Sequence, residues 1–92
     1  MEETPLVYFE EQFTDQERAR VTSTLRQAER ALDLPEVPAS AGALWTVGLD
    51  RNGLVTISRL GVRYVFVAGS VEAAARKVER WTEEQGGGHT NL

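Results

Sequence analysis

Two turn signals divide residues 44–68 into three β-prone segments, and this division constrains the fold more than any other feature of the sequence. The first signal is Asp50 to Gly53, which ends in an Asn-Gly pair, and the second is Leu60-Gly61. Turn residues of this kind between alternating apolar residues are typical of β-hairpins. We therefore predict an antiparallel meander of three strands, over residues 44–49, 54–59 and 62–68.

The register of the first hairpin depends on the length of its turn. A two-residue Asn-Gly turn places Leu49 opposite Thr56, whereas a three-residue loop with a left-handed Gly53 places Leu49 opposite Val55. The second register keeps the apolar residues on one face. It also gives Asp50 its favoured first position in the turn, and we predict it for this reason.

The second hairpin assigns a side of the sheet to every strand residue. A tight turn at Leu60-Gly61 pairs Arg59 with Val62 and Ile57 with Tyr64. Because side chains alternate across a strand, the predicted core face then consists of Trp45, Val47, Leu49, Val55, Ile57, Tyr64 and Phe66. The opposite, open face consists of Thr46, Thr56, Ser58, Arg63, Val65 and Val67. One apolar face and one mixed face are typical of a meander that is covered on one side.

Two amphipathic helices flank the predicted sheet. The first begins with a capping box, Thr14 to Glu17, and Pro35 ends it near Leu34. Ser70 caps the second helix, and Gly86 to Gly88 ends it. Their apolar faces are Val21, Leu25, Ala28 and Leu32 in the first helix, and Val71, Ala74, Ala75, Val78 and Trp81 in the second.

These elements predict an α+β fold, a two-layer α-β-β-β-α sandwich in which the three-stranded meander packs on two helices. We expect residues 1–13 to form an acidic N-terminal arm or an edge strand, 14–85 a single α+β domain, and 86–92 a flexible Gly-rich tail. Gly48 lies in a strand on the open face. It predicts a β-bulge, or else a place where another backbone or a ligand comes close.

The order of the elements over Thr14 to Gln85 resembles that of the double-stranded RNA-binding domain. In that family a basic cluster at the start of the last helix binds phosphates across the RNA groove. The matching residues here, Val71 to Ala75, contain Glu72 and no base. The resemblance is therefore one of element order, and RNA binding does not follow from it.

Charge and composition restrict the chemistry further. Residues 1–17 carry six acids and no base, and the chain has a net charge of −4. It has no cysteine, and its single histidine, His89, follows three glycines. Nucleophilic and metal sites built on these residue types are excluded. We expect no cofactor and no metal.

The two N-terminal glutamates and the short apolar runs predict a cytoplasmic chain without a signal peptide or a membrane span.

A protein-interaction module fits these observations best: a small non-enzymatic adaptor, inhibitor or regulatory protein. We expect it to bind a protein partner, or a second copy of itself, through the N-terminal segment and the open sheet face. The candidate surface residues are Arg51, Thr56, Ser58, Arg63, Val65 and Val67. The alternative is a weak nucleic-acid-binding domain with an arginine patch of Arg51, Arg59 and Arg63, which the net negative charge disfavours. The arginines of the strands also have a simpler explanation, since charged residues on strands protect sheets against aggregation.

Overall fold

A computed structural model describes residues 5–87 and contains a four-stranded mixed sheet packed against two helices. The elements in chain order are β1 (Val7–Phe9), α1 (Asp15–Ala31), a 3-10 turn (Ala39–Ala41), β2 (Trp45–Leu49), β3 (Val55–Arg59), β4 (Phe66–Ala68) and α2 (Val71–Gly87). The strands lie side by side in chain order. β1 runs parallel to β2, and the other neighbours are antiparallel. The predicted α+β two-layer fold is confirmed.

The N-terminal segment joins the sheet formed by the other strands of this chain, as the edge strand β1. Val7 aligns with Trp45 and Phe9 with Val47. At the two ends of β1, the Trp45 N–H donates to the Leu6 carbonyl over 2.9 Å and the Glu10 N–H donates to the Val47 carbonyl over 2.8 Å. Because α1 carries the chain back to the same end of the sheet, β1 and β2 run in the same direction, as in a crossover connection.

The first hairpin has the predicted register. Leu49 lies opposite Val55, and Gly53 has a left-handed φ of +82°. The Asp50 carboxylate accepts hydrogen bonds from the Asn52 and Leu54 N–H groups, at 2.8 and 2.9 Å. These bonds hold the three-residue loop and explain why it forms in preference to the two-residue turn.

The second hairpin differs from the prediction by two residues. The tight turn is present, with the Val62 N–H donating to the Arg59 carbonyl over 3.1 Å. However, Ile57 lies opposite Phe66 and not Tyr64, and β4 begins only at Phe66. A shift of two residues keeps each side chain on its face. It gives the buried position to Phe66 and leaves Tyr64 55% exposed, so that the Tyr64 ring with its polar hydroxyl group is not buried in the core.

Both helices begin at the predicted residues. The Glu17 N–H donates to Thr14 Oγ1 over 3.1 Å and the Thr14 N–H donates to Glu17 Oε1, which completes the capping box. The Ala73 N–H donates to Ser70 Oγ over 3.1 Å. α1 ends at Ala31, earlier than predicted. In the predicted tail, Gly86 and Gly87 belong to α2, and His89 lies outside the described residues.

The core lies between the helices and one face of the sheet. Five residues of the predicted core face and helix faces are at most 1% exposed, namely Leu25, Trp45, Ile57, Phe66 and Val78. Leu49 and Tyr64 were expected on this face, but both are exposed, Leu49 because it lies at the end of β2 beside the turn. Within residues 5–87, no helix is both long and apolar enough to cross a membrane.

Candidate functional site

The face of the sheet that points away from the helices carries small side chains. Thr46 pairs with Ser58, and Thr56 lies between Gly48 and Val67. These residues alternate with the buried residues of β2, β3 and β4, so they point to the other side. In the structure, the open face consists of Tyr8, Thr46, Gly48, Thr56, Ser58 and Val67, whereas Arg63 and Val65, which were expected on it, precede β4.

The structure brings together three of the six predicted surface residues. Thr56, Ser58 and Val67 lie half-buried in the middle of the open face. Arg63 and Val65 are exposed in the unpaired segment before β4, and Arg51 is exposed at the tip of the first hairpin. The predicted surface is therefore a central group of three residues with the remaining three at its margins.

Sequence reasoning missed Tyr8, which is the most exposed large apolar residue of the described chain at 59%. Its neighbours Val7 and Phe9 pack against the core, whereas Tyr8 aligns with Thr46 on the open face. The alternation of Leu6 and Tyr8 with Val7 and Phe9 was the available signal. The sequence pattern did not say which strand this segment would join.

Gly48 marks a close approach and not a β-bulge, so the bulge interpretation is wrong. β2 pairs with β3 without interruption, with Gly48 opposite Thr56. A Cβ atom added to Gly48 would collide with the Glu10 carboxylate, whose Oε1 occupies that space. The hydrogen bond from the Glu10 N–H to the Val47 carbonyl places Glu10 directly after β1 and beside Gly48.

The Glu10 carboxylate has no ion pair with any base in residues 5–87. Arg18, which lines the same surface cleft as Glu10, places its guanidinium group over the Phe9 ring, 5.1 Å from the centroid. An unpaired carboxylate thus lies at the β1 side of the open face, above the one residue of β2 that has no side chain.

Arg59 does not belong to an exposed arginine patch. Its side chain is 3% exposed, and its Nε and Nη2 donate to the two carboxylate oxygens of Glu29 at 2.5 and 3.1 Å. Its Nη1 donates to the carbonyls of Pro35 and Leu60, at 2.9 and 2.7 Å. The Trp45 Nε1 also donates to Glu29, over 2.7 Å. Arg59 therefore joins α1 to the loop at Pro35 and to the second turn.

A second ionic cluster holds the two helices together. Arg20 of α1 donates to Glu72 and Glu79 of α2, with shortest distances of 2.8 and 2.7 Å, and its Nη1 also donates to Thr24 Oγ1. The Arg20 guanidinium group, chiefly through these hydrogen bonds, holds the pKa of both carboxyl groups below the usual range. The carboxylates in turn raise the pKa of Arg20.

Arg20 and Glu72 also line a cleft of about 430 Å³ at the start of the two helices. Both side chains already serve the contact between the helices, so the cleft offers few free polar groups. Within residues 5–87, no three potential metal ligands of the Asp, Glu, His or Cys type lie together. The ionic groups that converge in this part of the chain are those of the two structural clusters around Arg20 and Arg59.

No family model matches the chain, and no curated protein and no solved structure matches it.

Proposed function

We propose that this chain is a non-enzymatic protein-interaction module, a small adaptor, inhibitor or regulatory protein, which binds through the open face and β1. The observation that carries the proposal is the one-sided packing of the sheet. Both helices contribute to a single core on one face. The other face is left with half-buried threonines and the exposed ring of Tyr8.

The size of the open face suits a modest interface. Strands lie about 4.8 Å apart and rise about 3.4 Å per residue. Four strands of three to five residues therefore span roughly 20 by 17 Å. Because a specific interface buries roughly 600 Å² or more on each partner, an interface here must also include the neighbouring Arg63 and Val65 and the β1 edge.

A comparison of the two edges of the sheet supports binding through the N-terminal segment. At the β4 edge, Lys77 Nζ donates to the Val67 carbonyl over 2.7 Å and so covers a backbone acceptor that a further strand would need. At the β1 edge, the hydrogen bonds to β2 involve Leu6 and Glu10. Because bonding residues alternate along a parallel strand, the backbone groups of Val7 and Phe9 point outward, and β1 is the more accessible edge.

The alternative of nucleic-acid binding has less support. Arg59 is engaged with Glu29, so Arg51 and Arg63 remain from the predicted patch of three. These two residues lie in different hairpin connections, and the chain has a net charge of −4. Two separated bases provide few phosphate contacts, and each contact is weakened by salt.

Site-specific crosslinking tests the proposal. A photo-crosslinking amino acid at Val65, beside the open face, is compared in living cells with the same group at Ser23, which is exposed on α1. We expect Val65 to capture a defined protein, either another species or a second copy of the chain, and Ser23 to capture none. Equal capture of the same proteins from both positions, or capture from Ser23 alone, would contradict a binding role for the open face.

A further inference from the structure

We propose that the Glu10 carboxylate above Gly48 receives an arginine side chain of the protein that binds the open face. This inference rests on the proposed function and specifies the chemistry of the partner. The site consists of Glu10, Gly48 and the two threonines next to Gly48 on the same face, Thr46 and Thr56. We call it the Glu10 site.

The position of the carboxylate is the first reason. Its Oε1 occupies the space in which any other residue at position 48 would place its Cβ atom. The carboxylate therefore lies low on the sheet surface. A carboxylate in this position faces whatever packs on the open face, because Gly48 has no side chain to separate the two.

The neighbouring groups are the second reason. Thr56 lies directly opposite Gly48, and side chains in that relation are about 5 Å apart. Thr46 lies two residues earlier in β2 and on the same face, about 7 Å away. A guanidinium group has five donors in a planar fork. It can donate to the Glu10 carboxylate and to a threonine hydroxyl group at the same time.

A carboxylate and a threonine hydroxyl group already bind an arginine in this chain, in that case together with a second carboxylate, Glu72. Arg20 donates to the Glu79 carboxylate over 2.7 Å and to Thr24 Oγ1 over 2.6 Å. The Glu10 site offers a carboxylate and threonine hydroxyl groups, and the nearby Arg18, whose guanidinium group lies over Phe9, makes no ion pair with Glu10 among the described residues. Lysine fits this arrangement less well, since its ammonium group is compact and cannot make the paired, planar contact.

Charge complementarity is the third reason and favours a basic partner over a second copy of this acidic chain. Residues 1–17 carry six acids and no base, and the whole chain has a net charge of −4. Glu10 directly follows β1, the strand formed by this acidic segment. Two copies would bring like net charges together, whereas a basic partner would approach a surface of opposite charge.

A titration with defined peptides tests the inference. The full chain, labelled with ¹⁵N, is titrated with acetyl-Gly-Arg-Gly-amide and separately with the citrulline peptide, which has the same shape and no charge. We expect weak, saturable shifts of the Gly48 and Thr56 amide signals with the arginine peptide, and at least a tenfold weaker response with the citrulline peptide. The shifts should decrease with added salt, because the contact is an exposed ion pair.

Two pairs of variants locate the effect. Glu10→Gln should abolish the shifts, and Glu11→Gln, the adjacent acid, should retain them. Gly48→Ala should also abolish them, because the new Cβ atom displaces the carboxylate. This variant should fold, since the group that must move is the end of a flexible side chain. Gly69→Ala is the control, as a Cβ atom at Gly69 has no neighbour within 4 Å.

Several results would overturn the inference. These are equal shifts with the citrulline peptide, undiminished shifts in Glu10→Gln, or shifts confined to other acids such as Glu83 and Glu84. The crosslinking and the peptide titration together distinguish failure of this inference from failure of the proposed function. If crosslinking from Val65 captures a partner but Glu10→Gln and Gly48→Ala leave both the capture and the peptide shifts unchanged, the open face binds a protein without an arginine at the Glu10 site.

Discussion

The two faces of the sheet are built from the same strands and differ in almost every physical property. In β2, Trp45 and Val47 are completely buried under the helices, whereas Thr46 between them is only half-buried on the open face. The covered face thus provides the hydrophobic free energy of folding. The open face contributes little to it, so its residues can serve binding without a large cost in stability.

The carboxylates on the two sides of the sheet also differ in their bonding. Glu29, on the covered side, accepts hydrogen bonds from Arg59 and Trp45 and is four-fifths buried. Glu10, at the open side, has no ion-pair partner within residues 5–87. Within residues 5–87, the charges that hold the fold together are paired, whereas the Glu10 carboxylate has no ion pair and lies on the surface to which we assign binding.

Truncation of a core residue should have the largest effect. Phe66→Ala should lower the free energy of unfolding by about 3–5 kcal/mol, because Phe66 is 1% exposed and packs edge-to-face on Trp81. Val67→Ala, one residue along β4 on the open face, should cost less than about 1 kcal/mol. Urea unfolding followed by tryptophan fluorescence measures both. Similar losses in the two variants would contradict the difference between the faces.

Loss of one charge from the buried ion pair should have the next largest effect. Glu29→Gln leaves the Arg59 guanidinium group buried and uncompensated, and we expect a cost of about 3 kcal/mol. Glu83→Gln, which alters an exposed acid on α2 without an ion pair in residues 5–87, is the control and should change stability by less than about 0.5 kcal/mol. A neutral result for Glu29→Gln in thermal unfolding would show that the cluster does not stabilise the fold.

A smaller, pH-dependent effect should come from the cluster around Arg20. The pKa values of Glu72 and Glu79 are lowered in the folded chain from an ordinary value of 4.5. Their contribution to stability is therefore complete above about pH 4.5 and is lost as the pH falls through the lowered values.

The double variant Glu72→Gln/Glu79→Gln should show a weaker fall of the unfolding midpoint between pH 6 and pH 3 than the unaltered chain. Glu83→Gln/Glu84→Gln, with two exposed acids near the end of α2, should leave the pH dependence unchanged. An unchanged pH dependence in the first variant would contradict the stabilising role of the ionic cluster.

Local sequence signals predicted much of the fold. The turn residues Asp50 and Gly53 determined the first hairpin, and Thr14 and Ser70 determined where the helices begin. The second hairpin was wrong by two residues because a tight turn at Gly61 says nothing about how soon pairing resumes. Both registers keep the same faces, so the hydrophobic pattern could not distinguish them.

The candidate site was less predictable because it depends on contacts between distant residues. Arg59 and Glu29 are thirty residues apart, and no local pattern indicates that they pair. The parallel alignment of β1 with β2 brings Tyr8 and Glu10 to the open face, and this alignment depends on the path of α1. Gly48 gave a signal, but the group that comes close is the Glu10 side chain, whereas the sequence indicated a bulge, another backbone or a ligand.

Tyr8 and Tyr64 permit the most direct test of the difference between the two faces. They are exposed to a similar extent, 59% and 55%, but Tyr8 lies on the open face and Tyr64 lines a cleft with Lys77 and Trp81 of α2. Hydroxyl-radical labelling, read by mass spectrometry, should modify both equally in the isolated protein. In extract of the native cell, we predict that Tyr8 becomes protected and Tyr64 does not. Protection of Tyr64 with Tyr8 still fully labelled would contradict the assignment of binding to the open face.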